Sequence, residues 1–126
     1  MDKNLKHLGK QSQEAVEELD LIEWSSNSET AVQLNATEFT SHCPVTKQPD
    51  FGNLKVVYVP DGHLVETKSF KLWLWGYRHK AQFNERIVDE ICERFFEQVK
   101  PKRVTVIGTF NLRGGIGVTA ECTRSK

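Results

Sequence analysis

The stretch from Asn84 to Val99 sets the strongest limit on how this chain folds. Ile87, Val88, Ile91, Phe95, Phe96 and Val99 recur at helical spacing and make one broad apolar face, with Glu90, Glu93, Arg94 and Glu97 mostly outside it. A helix of this kind is stable only against a complementary apolar surface. Asn84 is read as its N-cap, and Pro101 lies just beyond its end. The flanking sequence offers the partner surface in strand form. Val32, Leu34 and Ala36 alternate with Gln33, Asn35 and Thr37. Leu54, Val56 and Tyr58 continue as a second strand, stopped by Pro60-Asp61-Gly62. Leu64 to Lys71 begins extended and enters a helix through Leu72, Trp73, Leu74, Trp75 and Tyr77. Val104, Val106 and Phe110 alternate next, Arg113-Gly114-Gly115 turns, and Ile116, Val118 and Ala120 form the last strand.

The order hairpin, two helices, hairpin predicts an α+β fold, an antiparallel four-stranded sheet with two helices on one face, over residues 31–126. Its two open edges call for covering or pairing, so copies of the chain are expected to associate into a ring that closes a larger barrel. Residues 1–30 read as a polar extension. Ala15, Val16, Leu19 and Ile22 predict a short helix within Gln13 to Trp24, and Ser25-Ser26-Asn27-Ser28 follows as a linker.

Lys and Arg total 17 and Asp and Glu total 17, so bulk charge gives no reason to expect nucleic acid or an anionic membrane as partner. No apolar run approaches the roughly 20 residues of a membrane span, and the first residues lack the apolar core of a secretion signal. Three cysteines, at 43, 92 and 122, form no C-x-x-C pair, and an odd number suits a reducing cytoplasm. Their spacing to His42 or His63 matches no standard zinc module, and no metal is expected.

The chemistry concentrates in Glu38-Phe39-Thr40-Ser41-His42-Cys43-Pro44-Val45-Thr46-Lys47-Gln48-Pro49-Asp50-Phe51-Gly52. Cys43 is a potential nucleophile and Asp50 a potential proton donor, held in one proline-punctuated loop. Each has a bland reading beside it: cysteines are often small buried hydrophobes, and Asp after Pro49 suits a turn. Cys92, flanked by apolar residues on the long helix, fits the bland reading, and Cys122 has no chemical neighbours in sequence. In Val65-Glu66-Thr67-Lys68-Ser69-Phe70-Lys71, the hydroxyl and ammonium groups of Thr67, Lys68 and Lys71 match phosphate oxygens, or simply form the solvated face of a helix start. Glu85, in the first turn of the long helix, complements the helix dipole or accepts paired N–H bonds from a purine-like ring.

Three separated motifs resemble one known family. Glu38 to Ser41 running into Cys43-Pro44-Val45-Thr46 and Gln48-Pro49-Asp50-Phe51 is similar to the active-site segment of 7-cyano-7-deazaguanine reductase, QueF. Glu66 to Trp73 resembles that family's signature, with Thr67 where Ser or Leu is usual. Gly108, Phe110 and Arg113-Gly114-Gly115-Ile116 match its closing hairpin. The resemblance covers roughly residues 31 to 118 and is to the single-module branch. It implies the tunnelling fold, oligomeric barrels with sites between subunits, and NADPH-dependent reduction of a nitrile to a primary amine on the route to queuosine. By the same resemblance Cys43 attacks the nitrile carbon to give a thioimide and Asp50 supplies a proton. Glu85, with Val65, Glu66, Thr67 and Asn84, binds 7-cyano-7-deazaguanine, and Thr67, Lys68, Arg113 and Gly114 contact the cofactor. The family usually carries His immediately before this Glu, where the chain has Asn84. Two other functions use related parts: an amidinotransferase acting on cyano-deazaguanine in tRNA through the same thioimide, and a non-catalytic deazapurine-binding ring protein.

Overall fold

The structure, a computed structural model, describes residues 5–8 and 14–126. Six strands and two helices follow in the order β1 (Leu21–Glu23), β2 (Val32–His42), β3 (Pro49–Val59), β4 (His63–Val65), α1 (Thr67–Trp75), α2 (Asn84–Val99), β5 (Arg103–Phe110) and β6 (Thr119–Ser125), with a 3₁₀ turn over Gly76–His79 between the helices. Strands β2, β3, β5 and β6 form one antiparallel sheet in that spatial order, and β1 pairs with β4 in a small separate ribbon. Among the described residues, no helix is long and apolar enough to cross a membrane.

Helix α2 has the expected bounds and buries Ile87, Val88, Ile91, Cys92, Phe95 and Val99. The N-cap lies one residue earlier than expected: Phe83 has the extended cap conformation, and Asn84 is the first helical residue. Asn84 therefore lends no side-chain cap to α2. At the other end Lys100 closes the helix with a left-handed φ of 53°, its N–H bonded to the Phe96 carbonyl.

One face of the sheet meets the helices. In register, Leu54 pairs with Gly108, Val56 with Val106 and Tyr58 with Val104. The apolar members of these pairs are buried with Phe70, Trp73 and Phe95 in one continuous core. The ring of Tyr58 meets Phe95 edge-on at 5.1 Å, and its hydroxyl accepts the Val65 N–H at 3.0 Å, fastening β4 over the core. Gly108 is demanded by this packing: a Cβ there would stand 2.6 Å from Val88 Cγ2 and 2.9 Å from the Phe110 ring.

Three expectations are corrected. No helix forms over residues 14–24; residues 14–20 are irregular and β1 follows. Gln13 itself lies outside the described residues. The backbone donors here are taken by distant partners, Val16 N by the Leu72 carbonyl, Leu19 N by Gln98 Oε1 and Trp24 N by the Gly62 carbonyl, which leaves no i to i−4 ladder. The last strand begins at Thr119, not Ile116, because Arg113 and Ile116 bond reciprocally across a two-residue turn that stands apart from the β5–β6 ladder. Finally, β2 runs on through a register irregularity between Ala36 and Phe39 to His42, so Glu38 to His42 are strand rather than loop.

The Gly108 contact is testable. Gly108→Ala forces a methyl against Val88 and is expected to cost about 1–3 kcal/mol in denaturant unfolding. Gly76, with φ −59° and its nearest Cβ neighbour at 3.8 Å, is the control; Gly76→Ala is expected to be neutral or stabilising by up to about 1 kcal/mol.

Candidate active site

Antiparallel pairing of β2 with β3 brings Cys43 and Asp50 to one end of the sheet. The loop 43–48 is closed by Cys43 N–H to the Gln48 carbonyl at 2.9 Å and Lys47 N–H to the Cys43 carbonyl at 3.0 Å, with Lys47 at φ 62°. This turn wraps donors around the sulfur. The Thr46 N–H, the Thr46 hydroxyl and the Val45 N–H hold the Cys43 thiol below its ordinary pKa, against the smaller opposing effects of burial and the Asp50 charge. The Thr46 hydroxyl also accepts the Gln48 N–H at 3.3 Å, which orients it.

Asp50 is not a turn residue. It is the second residue of β3, pairs with Ser41 and is buried. Arg113 reaches it from the closing hairpin: Nε lies 2.9 Å from Asp50 Oδ1, and a terminal guanidinium nitrogen donates to the Pro49 carbonyl at 3.0 Å. The turn that presents Arg113 needs positive φ at both central positions, 58° at Gly114 and 80° at Gly115, which is why two glycines stand there.

A second segment closes the site from the side of α2. His42 N–H donates to the Lys80 carbonyl at 3.2 Å and Gln82 N–H to the His42 carbonyl at 3.1 Å, so residues 80–82 lie alongside the end of β2. Behind them Lys80 Nζ meets Glu90 Oε1 at 2.8 Å, and the Tyr77 hydroxyl donates to Glu90 and accepts from Arg94. Burial alone would raise the Glu90 pKa, but Lys80, Tyr77 and Gln82 together hold it below the ordinary carboxylate value. Five buried polar atoms have no hydrogen-bond partner among the described residues; apart from Trp73 Nε1 in the core, these are Ser41 Oγ, His42 Nδ1, Gln82 Oε1 and Asn84 Oδ1. These four come from the two segments that flank Cys43. Glu85 follows, exposed, in the first turn of α2.

The Val65–Thr67 segment lies elsewhere. Val65 N–H bonds to Tyr58, which stands eight residues beyond Asp50 on β3. At about 3.3 Å per residue that is about 26 Å away along the strand. Glu66 is buried and caps α1, its Oε1 accepting Ser69 N–H at 2.8 Å and its Oε2 accepting Lys68 N–H at 2.7 Å. Thr67 and Lys71 line a groove of about 410 Å³ between β2 and α1, with Phe39, Phe70, Trp75 and Arg78. The Arg78 guanidinium stacks over the Trp75 ring at 4.0 Å. Lys68, Arg113 and Gly114 are not among the residues lining it. One copy of the chain thus joins Cys43, Asp50 and Arg113, sets residues 80–82 beside His42 with Asn84 and Glu85 following at the start of α2, and keeps Val65, Glu66 and Thr67 apart.

Sequence reasoning missed Thr46 as a thiolate donor, Arg113 as the partner of Asp50, and Arg78 in the groove. For Thr46 a signal existed, a hydroxyl residue three positions after the cysteine in a turn. For Arg113 no local signal existed, since the pair joins residues far apart in sequence.

The donors around Cys43 set its reactivity toward iodoacetamide. Alkylation of the Cys43 peptide, followed by mass spectrometry against pH, is expected to have a midpoint below that of an ordinary thiol. Thr46→Val removes a donor to the anion and moves the midpoint up; Asp50→Asn removes a repelling charge and moves it down. An unchanged midpoint in Thr46→Val would contradict the assignment.

Comparison with known proteins supplies the context. A family model described as QueF-like protein matches residues 49–126. A protein of Thermomicrobium roseum named NADPH-dependent 7-cyano-7-deazaguanine reductase is 42% identical over 96 residues, 75% of this chain and 75% of that one. One of the same name from Syntrophus aciditrophicus is 40% identical over 95 residues, 75% of this chain and 68% of its own. Among solved structures, the apo form of the archaeosine synthase QueF-Like is similar with a TM-score of 0.71 at 26% identity, covering 77% of this chain and 95% of that one. The fold is the tunnelling fold. With its motifs, its fold and these relatives in agreement, the chain belongs to the QueF-like protein family.

Proposed function

We propose that this chain reduces the nitrile of 7-cyano-7-deazaguanine to the aminomethyl group with NADPH, a step of queuosine biosynthesis, through a covalent adduct on Cys43. The observation that carries the reading is a thiol with a lowered pKa beside an aspartate fixed by Arg113. The names of the relatives at 42% and 40% identity support the reaction class. Cys43 Sγ adds to the nitrile carbon, the C–N π bond breaks, and the proton lost by the thiol passes through Asp50 to the nitrogen, giving the thioimide. Arg113 keeps the Asp50 carboxyl aimed at that nitrogen. Ser41, Gln82 and Asn84 offer buried polar atoms, and Glu85 a carboxylate, to the hydrogen-bonding edges of the deazaguanine.

The groove beside α1 fits a dinucleotide by its donor set: the hydroxyl of Thr67, the ammonium of Lys71 and the guanidinium of Arg78 for phosphates, with Phe70 and Trp75 for flat rings. Lys68, Arg113 and Gly114 do not line this groove within one copy, and they join the set of cofactor contacts only where a neighbouring copy meets it. When bound, NADPH would supply hydride to the carbon held on Cys43. The chain's own task is to hold the carbon in place on Cys43 and to exclude water.

Self-association is part of this reading. Val65, Glu66 and Thr67 sit at the opposite end of β3 from Cys43, so both groups serve one pocket only if a neighbouring copy supplies one of them. Val45, Phe51, Phe83, Leu112 and Ile116 are 50–75% exposed, and all lie in the segments that form the Cys43 end. Free cysteines suit a cytoplasmic setting.

The amidinotransferase alternative keeps one argument, the structural likeness to an archaeosine synthase. Purified protein mixed with 7-cyano-7-deazaguanine and NADPH decides between them. Two NADPH are expected to be oxidised per substrate, with a thioimide absorbance band when NADPH is withheld and neither signal in Cys43→Ala. Asp50→Asn is expected to slow turnover by about 10²–10⁴-fold. Thioimide formation with no NADPH oxidation would sink the reductase reading.

A further inference from the structure

Two of the three cysteines lie outside the candidate site and face each other where α2 packs on β6. Cys92 is fully buried on the apolar face of α2. Cys122 pairs with Val106, a core residue, so the register turns its side chain toward the helix-bearing face, where it packs half-buried against the core. The Cys92 thiol donates to the Cys122 carbonyl at 3.3 Å. The Cys122 sulfur in turn lies 3.7 Å from Asp89 Oδ1, one helical turn before Cys92. Each sulfur is therefore directed at the other residue's own element. Burial first, and the neighbouring Cys122 thiol second, push the Cys92 thiol up to about 12. The pair is asymmetric: one thiol reaches solvent and the other does not.

We propose that Cys92 and Cys122 are a peroxide-oxidisable dithiol that closes to a disulfide, fastening the edge strand β6 to α2. Cys122, the accessible member, attacks the peroxide oxygen; the O–O bond breaks, water leaves and Cys122 becomes a sulfenic acid. Cys92 sulfur then displaces hydroxide from Cys122 sulfur and loses its proton, and a second water leaves. Two thiols are oxidised by two electrons and one hydrogen peroxide is reduced to two waters. A dithiol reductant reverses the reaction by exchange. The bridge joins residues 30 apart in sequence, and its loop includes all of β5 and the hairpin that carries Arg113. Closing such a loop restricts the unfolded chain and stabilises the fold. Cys43 takes no part. The two thiols react with each other because packing holds them together, whereas Cys43 is set for a carbon electrophile on the β2–β3 turn.

The test uses the full chain carrying Cys43→Ser, so that the site thiol cannot contribute. After treatment with hydrogen peroxide, free thiols are blocked with iodoacetamide and the protein is digested without reductant. The expected product is the Cys92 peptide joined to the Cys122 peptide, lighter by two hydrogens than the sum of the two. Melting temperature is expected to rise on oxidation, and both changes are expected to reverse with dithiothreitol and to be absent in Cys43→Ser/Cys122→Ser. Recovery of both cysteines as blocked thiols, of Cys122 as sulfinic acid without a cross-link, or of Cys122 joined only to another chain would overturn the proposal. So would a bridge to Cys43 in the otherwise native chain that replaces the Cys92–Cys122 product.

Discussion

The contact of Val88 with Gly108 fixes how closely α2 approaches the sheet, and the position of the candidate site follows from it. With only hydrogen at residue 108, the Val88 side chain of α2 packs directly on the β5 backbone beside the Phe110 ring, and Ile87, Ile91 and Phe95 reach the core around Tyr58 and Val106. The start of α2 is then set relative to the end of β2. Residues 80–82, which lead into the helix, bond to both sides of His42 and hold the strand end just before Cys43. A tight helix–sheet contact in the interior thus determines where a thiol sits at the rim. Rigid packing transmits position in this way because interiors are as dense as crystals of small molecules.

The ion pair of Asp50 with Arg113 does a different task. Asp50 is nearly buried while Arg113 is about half exposed, with side-chain exposures of 11% and 43%. Removing the guanidinium leaves a carboxylate in a poorly hydrated place with nothing to fix its direction. The pair therefore matters more for where the carboxyl points than for global stability. It also ties the third strand to the closing hairpin across the site, so residues 50 and 113, remote in sequence, form one working unit.

Much of this was legible in the sequence, and the limits are physical. The bounds of α2 were readable because its apolar stripe is long and uninterrupted. The two hairpins were readable from alternation, and the second also from its Gly114-Gly115 turn. Cys43 and Asp50 stood out because a thiol and a carboxylate stand seven residues apart in one proline-punctuated segment. The N-terminal strand was not readable, since Val16, Leu19 and Ile22 have helical spacing and only the acceptors offered by the Leu72 and Gly62 carbonyls and the Gln98 side chain override it. The separation of Val65, Glu66 and Thr67 from Cys43 along β3 was also hidden, because a sequence motif carries no distance between its residues once the chain folds.

Glu66 shows what that separation implies. Its carboxylate spends both oxygens on the N–H groups of Lys68 and Ser69, and Ser69 Oγ bonds back to the Glu66 carbonyl and accepts the Asp20 N–H. A carboxylate oxygen has more than one lone pair, so each can keep its helix bond and still accept a donor from outside. A ligand reached by Glu66 therefore meets a group already locked by the helix start, with little rotamer entropy left to lose. Were the carboxylate to leave the cap, α1 would lose about 1 kcal/mol of support at its first turn. The cap accounts for the buried setting of Glu66.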